Sequence, residues 1–407
     1  MRIALFIRTF EPCSGGLQKH ASDLARHLTA KGHDVHIVTR LVSYHPKDYL
    51  DSFIYSEKEK LTRIEGVPVH VLTHSAFMIP LLWISMKCVG RQITRKFGVA
   101  LYSFIFIKGC LRSLGRVDLV HHVGQGYEML GFTAHHFARR IGAPFVVQPT
   151  VHPGQWGDHD IDQMLYRRAD RLLSHTEFEA KWHQSRFPGV PVDVVGNGID
   201  ILGDGDSKRF QQTHGVSGPI ILFLGRKEKD KGYFLLKETI PLVLEQRPDA
   251  VFVLMGPLPA TNGSAPPTSD RVIEINSASD QEKNDALAAC EMLCVPSEGE
   301  SFGLVYMEAG RYSKPVIGRD IPVLQELIGR NRAGLLVGKT TSEHACYAAV
   351  TPVELARAVL KLLQDKSLRR ELGENCHRVS EQFTWPHIVQ RFEASYITAK
   401  KNKSCTP

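Results

Sequence analysis

Short, mostly apolar runs recur along the chain, each ending at a glycine-rich or polar turn and followed by a helically spaced segment. Residues 3–7, 35–38, 117–123 and 144–148 form such runs in the first half, and 220–224, 251–255, 272–275 and 293–296 in the second. None alternates apolar with polar residues, so each predicts a strand buried on both faces, as in a parallel sheet. Between the first two runs, Leu17, Leu24, Ala25 and Leu28 share one helical face and Gly32 closes the helix. Strand, glycine loop, helix and strand open a doubly wound α/β domain, and the same order restarts near residue 219. The pattern predicts two such Rossmann-like domains, over 1–200 and 201–384, with a final helical segment and tail over 385–407. The polar stretch 200–218 reads as a linker and 400–407 as a disordered tail.

The first loop carries Gly15-Gly16, followed by Leu-Gln-Lys-His, which is not the Gly-x-Gly-x-x-Gly of a dinucleotide site. The second strand ends in Thr39-Arg40, with no acid for a ribose hydroxyl. A nicotinamide enzyme therefore fits poorly, and the loop alone does not separate a phosphate contact from a plain tight turn.

The richest stretch is 294–318, CVPSEGESFGLVYMEAGRYSKPVIG. It predicts a strand end, a polar turn, a helix over about 302–312 and a second strand. Such a turn delivers the backbone N–H groups of Phe302, Gly303 and Leu304 at a helix N-terminus, an arrangement suited to phosphate. Glu300 and Glu308 frame it, with seven residues between them. Carboxylates accept hydrogen bonds from paired hydroxyls, so a sugar at Glu300 and a ribose at Glu308 are sensible partners; a surface acid plus a helical acid is the plainer alternative. After the strand at 220–224, Arg226 and Lys231 lie five residues apart, placed to clamp a diphosphate. Lys227 and Lys229, in the same loop, are expected to be solvated.

The stretch PSEGESFGLVYMEAG, with its Glu-x7-Glu spacing, resembles the signature of retaining glycosyltransferases of the family-4 type, which have the two-domain B-type fold. Gly225-Arg226-x4-Lys231-Gly232 is similar to that family's diphosphate clamp. The resemblance covers nearly the whole chain and is weakest over 41–116 and 257–270. It implies two domains facing a cleft, a nucleotide-sugar donor held mainly by the second, and an acceptor (a glycan or lipid-linked saccharide) held by the first. It implies a donor set of Gly15, Gly16, Arg226, Lys231, Glu300, Phe302, Gly303, Leu304 and Glu308. His152, which follows the strand at 144–148, would face the transferred sugar, although a lone loop histidine is more often a bystander. Catalysis would rest on Glu300, His152, Arg226 and Lys231, with no metal or other cofactor. A final helix from Trp385 would cross back to the first domain. Uridine and guanosine diphosphate sugars are equally compatible. A nucleotide-sugar epimerase, a glycan phosphorylase and a non-catalytic nucleotide-sugar-binding subunit remain as alternatives on the same fold.

Composition changes this picture in one place. The chain of 407 residues is 43% hydrophobic and carries a net charge of +7. From residue 66 to 117 there is no Asp or Glu, against seven Lys and Arg. Within it, 75–116 interleaves aromatic clusters with cations, reading either as a membrane-surface contact or as two core helices with solvated charges; the missing acids favour the first. No nucleic-acid motif accompanies the charge. No run of eighteen apolar residues exists, so a spanning helix is not expected. Five apolar residues before Arg8 are too few for a signal peptide. The eight cysteines form no Cys-x2-Cys pair, which suits reduced thiols. The expected location is cytoplasmic, peripheral to the membrane if 75–116 touches it.

Overall fold

The structure, a computed structural model, describes residues 1–10, 16–42, 53–57, 61–154, 156–200, 204–258, 269–340 and 348–404. The chain packs as two compact units, one of Met1–Gly198 with Trp385–Pro407, the other of Ile199–Thr384.

The first unit is built on an eight-stranded sheet with the order β3-β4-β2-β1-β5-β6-β7-β8. These strands are β1 (Arg2–Phe6), β2 (Asp34–Thr39), β3 (Leu61–Ile64), β4 (Val67–Val71), β5 (Leu119–Val123), β6 (Phe145–Gln148), β7 (Arg171–Ser174) and β8 (Val192–Val194). All pairs are parallel except β3–β4. The apolar runs read from sequence are central strands: Ile3, Ala4, Leu5, Phe6, Val120 and Val147 are fully buried.

The helix Trp385–Ser404 belongs to this unit and runs into the 400–407 segment read as a disordered tail. Two acids that precede sheet strands hold its end: Lys400 Nζ donates to Asp118 at 2.6 Å and Lys403 Nζ to Asp170 at 3.0 Å. The helix start is a packed corner. Trp385 stacks on His27 with ring centroids 5.0 Å apart, and a Cβ on Gly198 would lie 2.2 Å from the indole. Buried polar groups continue inward. His20 Nδ1 lies 2.6 Å from Asn197 Oδ1 and its Nε2 3.0 Å from Gln148 Oε1, while Tyr396 Oη lies 2.9 Å from His121 Nδ1.

The second unit is a six-stranded parallel sheet with the order β11-β10-β9-β12-β13-β14. Its strands are β9 (Ile220–Leu224), β10 (Val251–Met255), β11 (Val272–Ile275), β12 (Met292–Cys294), β13 (Val316–Arg319) and β14 (Gly334–Val337). Chain order runs outward from β9 in one direction, then returns to its other side at β12. The crevice beyond the carboxyl ends of β9 and β12 is therefore the topological switch point, where open α/β sheets bind ligands.

The stretch read as a linker contains a helix, Ser207–His214. Asp206 caps it through the N–H groups of Lys208 and Arg209, and Arg209 pairs with Asp285 at 2.5 Å. Phe210 is the helix's buried residue, so the segment has little apolar periodicity for sequence reading to find. Most of the loop read at 257–269 lies outside the described residues.

Candidate active site

The loop after β9 and the loop after β12 meet at the switch point. Gly232 makes the close approach possible: its φ is +72°, and a Cβ there would lie 2.3 Å from the Pro296 carbonyl oxygen. Backbone hydrogen bonds join the loops as well, Glu298 N–H donating to Asp230 O at 2.8 Å. The result is a direct ion pair across sixty-nine residues, Lys231 Nζ to Glu300 Oε1 at 2.8 Å. Both side chains are largely sheltered, 21% and 10% exposed.

The helix after this turn runs Leu304–Arg311, shorter than the predicted span. Gly303 is its N-cap, at φ +88°. A Cβ here would lie 2.6 Å from the Tyr306 ring, so glycine is required by the cap conformation and by Tyr306. Tyr306 in turn donates to Val295 O at 2.6 Å, fixing the helix to the end of β12. A helix N-terminus so anchored aims backbone N–H groups beside Lys231 and Glu300. Phe302 is buried against Phe383, ring centroids 4.9 Å apart, and so packs the turn from beneath.

Arg226 is half exposed and bonded to two acids of its own loop, Glu228 and, at 3.0 Å, Asp230. Glu308 faces Lys283 of the helix Asp280–Ala289, with Oε1 to Nζ at 2.8 Å. Arg226, Lys231, Glu300 and Glu308, the charged residues expected to bind a donor, are therefore each held by an opposite charge. Of these partners, Glu228, Asp230 and Lys283 had no signal in the sequence beyond being charged.

Lys227 corrects the expectation that it is solvated. Its side chain is wholly buried, with Nζ 2.6 Å from Glu274 Oε2 and donating to Asn276 Oδ1 at 2.6 Å. Tyr233 donates to the other Glu274 oxygen at 2.7 Å, and burial, then Glu274, push its phenol pKa upward. Lys227 pins the root of the loop that presents Arg226 and Lys231, while Lys229 stays exposed. Replacing Lys227 with alanine removes the buried partner of Glu274, leaving it Tyr233 and, at 3.9 Å, Lys237, and is expected to cost about 3 kcal/mol. Urea unfolding followed by far-ultraviolet circular dichroism checks this, and an unchanged midpoint would contradict it.

The remaining predicted residues lie in the first unit. Gly16 opens the helix Gly16–Ala30, and Gly15 lies outside the described residues. His152 follows β6 in a tight turn, its backbone paired with Trp156 in both directions at 3.1 Å and its ring set edge-on to that indole at 4.7 Å. Thr150, just before it, holds φ +53°, an uncommon conformation for threonine that redirects the chain after the strand.

Two α/β units built on largely parallel sheets, the second with a charged loop pair and a capped helix N-terminus at its switch point, make the architecture of the B-type glycosyltransferase fold. Comparison with known proteins agrees. Residues 15–198 match the family described as "Glycosyl transferase 4-like domain", and 204–379 match "Glycosyl transferases group 1". The chain belongs to the family-4 type of glycosyltransferases.

A D-inositol 3-phosphate glycosyltransferase of Gordonia bronchialis is 29% identical over a match spanning 59% of this chain and 55% of that protein. A phosphatidyl-myo-inositol mannosyltransferase of Propionibacterium freudenreichii is 24% identical over 99% of this chain and 96% of that one. Among solved structures, a sucrose-phosphate synthase from Thermosynechococcus elongatus superposes with a TM-score of 0.70 at 19% identity, covering 98% of each chain. Anabaena HepE in complex with UDP-glucose does so at 0.67 and 17%, covering 98% of this chain and 100% of that one. These structural likenesses concern the fold.

Proposed function

We propose that this glycosyltransferase moves a hexosyl group from a nucleoside diphosphate sugar to a hydroxyl of a glycan or lipid-linked saccharide, with retention of anomeric configuration. The observation that carries the reading is the Lys231–Glu300 pair at the switch point, beside the helix N-terminus capped by Gly303. In the reaction, the bond from the anomeric carbon to the diphosphate oxygen breaks. The acceptor oxygen bonds to that carbon on the same face, and the acceptor proton passes to the leaving phosphate. Charge grows on the diphosphate, so fixed positive potential is the main requirement.

Lys231, Arg226 and the N–H groups at Gly303 and Leu304 supply it, the phosphate oxygens replacing the carboxylates that now face the two cations. Glu300, freed from Lys231, accepts hydrogen bonds from the sugar hydroxyls. Glu308 holds the ribose, its carboxylate oriented by Lys283. No step in this scheme calls on a metal. Uridine and guanosine donors suit it equally, and a cytoplasmic location suits either.

The test is binding and slow hydrolysis of a panel of UDP- and GDP-hexoses, read as nucleoside diphosphate release, with Arg226→Ala alongside. One donor should bind and hydrolyse, and the variant should lose both properties. Proton NMR of the released or transferred sugar should show the donor's anomer. A folded protein that binds none of the panel, or epimerises the donor without releasing the diphosphate, overturns the reading.

A further inference from the structure

Large apolar side chains are exposed unevenly. Eleven are exposed among the described residues, and six of them, Phe77, Trp83, Ile84, Ile93, Phe97 and Phe104, fall within one stretch of twenty-eight residues. Single exposed apolar residues are ordinary; a cluster on one element pair marks a contact surface. Ile93 is 98% exposed and Phe77 89%, values that a loosely covered core would not give.

The surface is rigid. It consists of the short helical turn Ala76–Met78, the helices Ile79–Val89 and Arg95–Leu114, and the turn between them. The two backbones touch where they cross, since a Cβ on Gly98 would lie 2.6 Å from the Ser85 carbonyl oxygen, and Ser85 Oγ donates to Gly98 O at 2.8 Å. Thr94 Oγ1 donates to Cys88 O at 2.9 Å and Arg95 Nε to Val89 O at 3.2 Å, so the turn holds Ile93 outward.

Charge identifies the occupant. Lys87, Arg91, Lys96, Lys108, Arg112 and Arg116 are all exposed, and none is in an ion pair among the described residues. The chain's donor-set cations, by contrast, are all paired to acids. Exposed phenylalanine and isoleucine beside unpaired cations fit an anionic bilayer, whose headgroups meet the cations while its acyl region receives the apolar tips.

The helix Arg95–Leu114 reaches a mean hydropathy of 1.4 over eighteen residues, enough by length and composition alone to cross a membrane. Scattered Gly, Ser and Tyr break its apolar run without lowering the average much. It is packed as a surface helix: Val99, Tyr102, Phe106, Cys110 and Leu114 are buried in the core of the first unit, and spanning would extract them.

We infer that the helical hairpin over residues 76–114 seats the first unit on an anionic lipid surface, with Phe77, Ile93, Phe97 and Phe104 entering the headgroup boundary. The inference is independent of the proposed reaction.

The test is co-sedimentation of the full chain with vesicles of phosphatidylcholine alone or with one-third phosphatidylglycerol, at low and high salt. Tryptophan fluorescence follows the same titration, with W83F identifying the part that comes from the surface indole. Binding should require the anionic lipid, weaken with salt and shift the emission to the blue. The variant K96Q/K108Q/R112Q should lose roughly fivefold per cation, on the order of a hundredfold together. F97S/F104S should abolish the blue shift. All variants should keep the wild-type circular dichroism spectrum and melting temperature, because the changed side chains are exposed. Vesicle binding unchanged in both variants, or absent in the folded wild type, overturns the inference. So does a concentration-dependent dimer that the same serine substitutions abolish without any vesicle binding, since the surface would then belong to a second copy.

Discussion

Lys231→Ala is expected to lower kcat/KM for the nucleotide-sugar donor by about a thousandfold, mostly in kcat. On the proposed mechanism the lysine meets charge that is larger in the transition state than in the bound donor. A group whose partner gains charge during the reaction acts on rate more than on binding. Its position is fixed by the fold: Gly232 packs on Pro296, and the side chain reaches Glu300 at 2.8 Å. Lys231→Arg should recover little activity, because a planar fork cannot occupy the place of a compact ammonium in this sheltered site.

The substitution also leaves Glu300 without its partner, so a stability loss must be separated from a catalytic one. Glu300→Gln in the same background removes the orphaned charge. The double variant reads stability alone, because Glu300 itself binds the sugar; Lys231→Ala protein that is fully folded at the assay temperature and still slow has lost catalysis. Donor hydrolysis within threefold of wild type in Lys231→Ala would remove this lysine from the mechanism.

The second large effect is on stability. Lowering the pH from 7 to 4.5 is expected to destabilise the first unit by several kcal/mol. Burial, then the charge of His175, depress the His20 pKa to about 4, with Gln148 and Asn197 opposing. Burial likewise takes His122 to about 4 and His121 well below its usual range. In the unfolded chain these rings protonate near 6.5, so between 6.5 and 4 the unfolded state binds more protons than the folded one. Stability from these groups is therefore fully present above 6.5 and declines as pH falls towards 4. A fully buried ring shifted this far contributes about 3 kcal/mol over that window.

Tryptophan fluorescence isolates the effect, because all four tryptophans (83, 156, 182 and 385) lie in the first unit. Trp385 stacks directly on His20 and His27, so its emission reports the corner that the protons enter. Urea midpoints at pH 7.5, 6, 5 and 4.5 should fall steadily by this probe. A flat profile would show that the rings charge without unfolding the corner.

Much of the fold was legible because a parallel strand buried on both faces leaves an uninterrupted apolar run, as in Ile3–Leu5 or Ile220–Leu224. The glycines at 232 and 303 were legible for a related reason, since both sit at left-handed turns between such runs and helices. Sequence spacing likewise singled out Arg226, Lys231, Glu300 and Glu308 as a charged set. It misjudged charged residues whose burial depends on distant partners. Lys227 looked like Lys229, one residue of a charged run, yet one is wholly buried against Glu274 and Asn276 and the other faces water. The tail beyond 400 looked disordered because nothing local orders it; Asp118 and Asp170 do.

The sequence by itself determined most of the central strands and their following helices, where the glycines must turn, and which residue types could grip a phosphate or a hydroxyl. Those properties are local, set by backbone sterics and by the periodicity of burial. Only the tertiary structure decided that Lys231 faces Glu300, that Lys283 faces Glu308, and that Lys227 is a buried anchor. In a doubly wound sheet β12 lies against β9 although two other strands intervene in the chain. Which charges meet, and how much water they lose, follows from that crossover order.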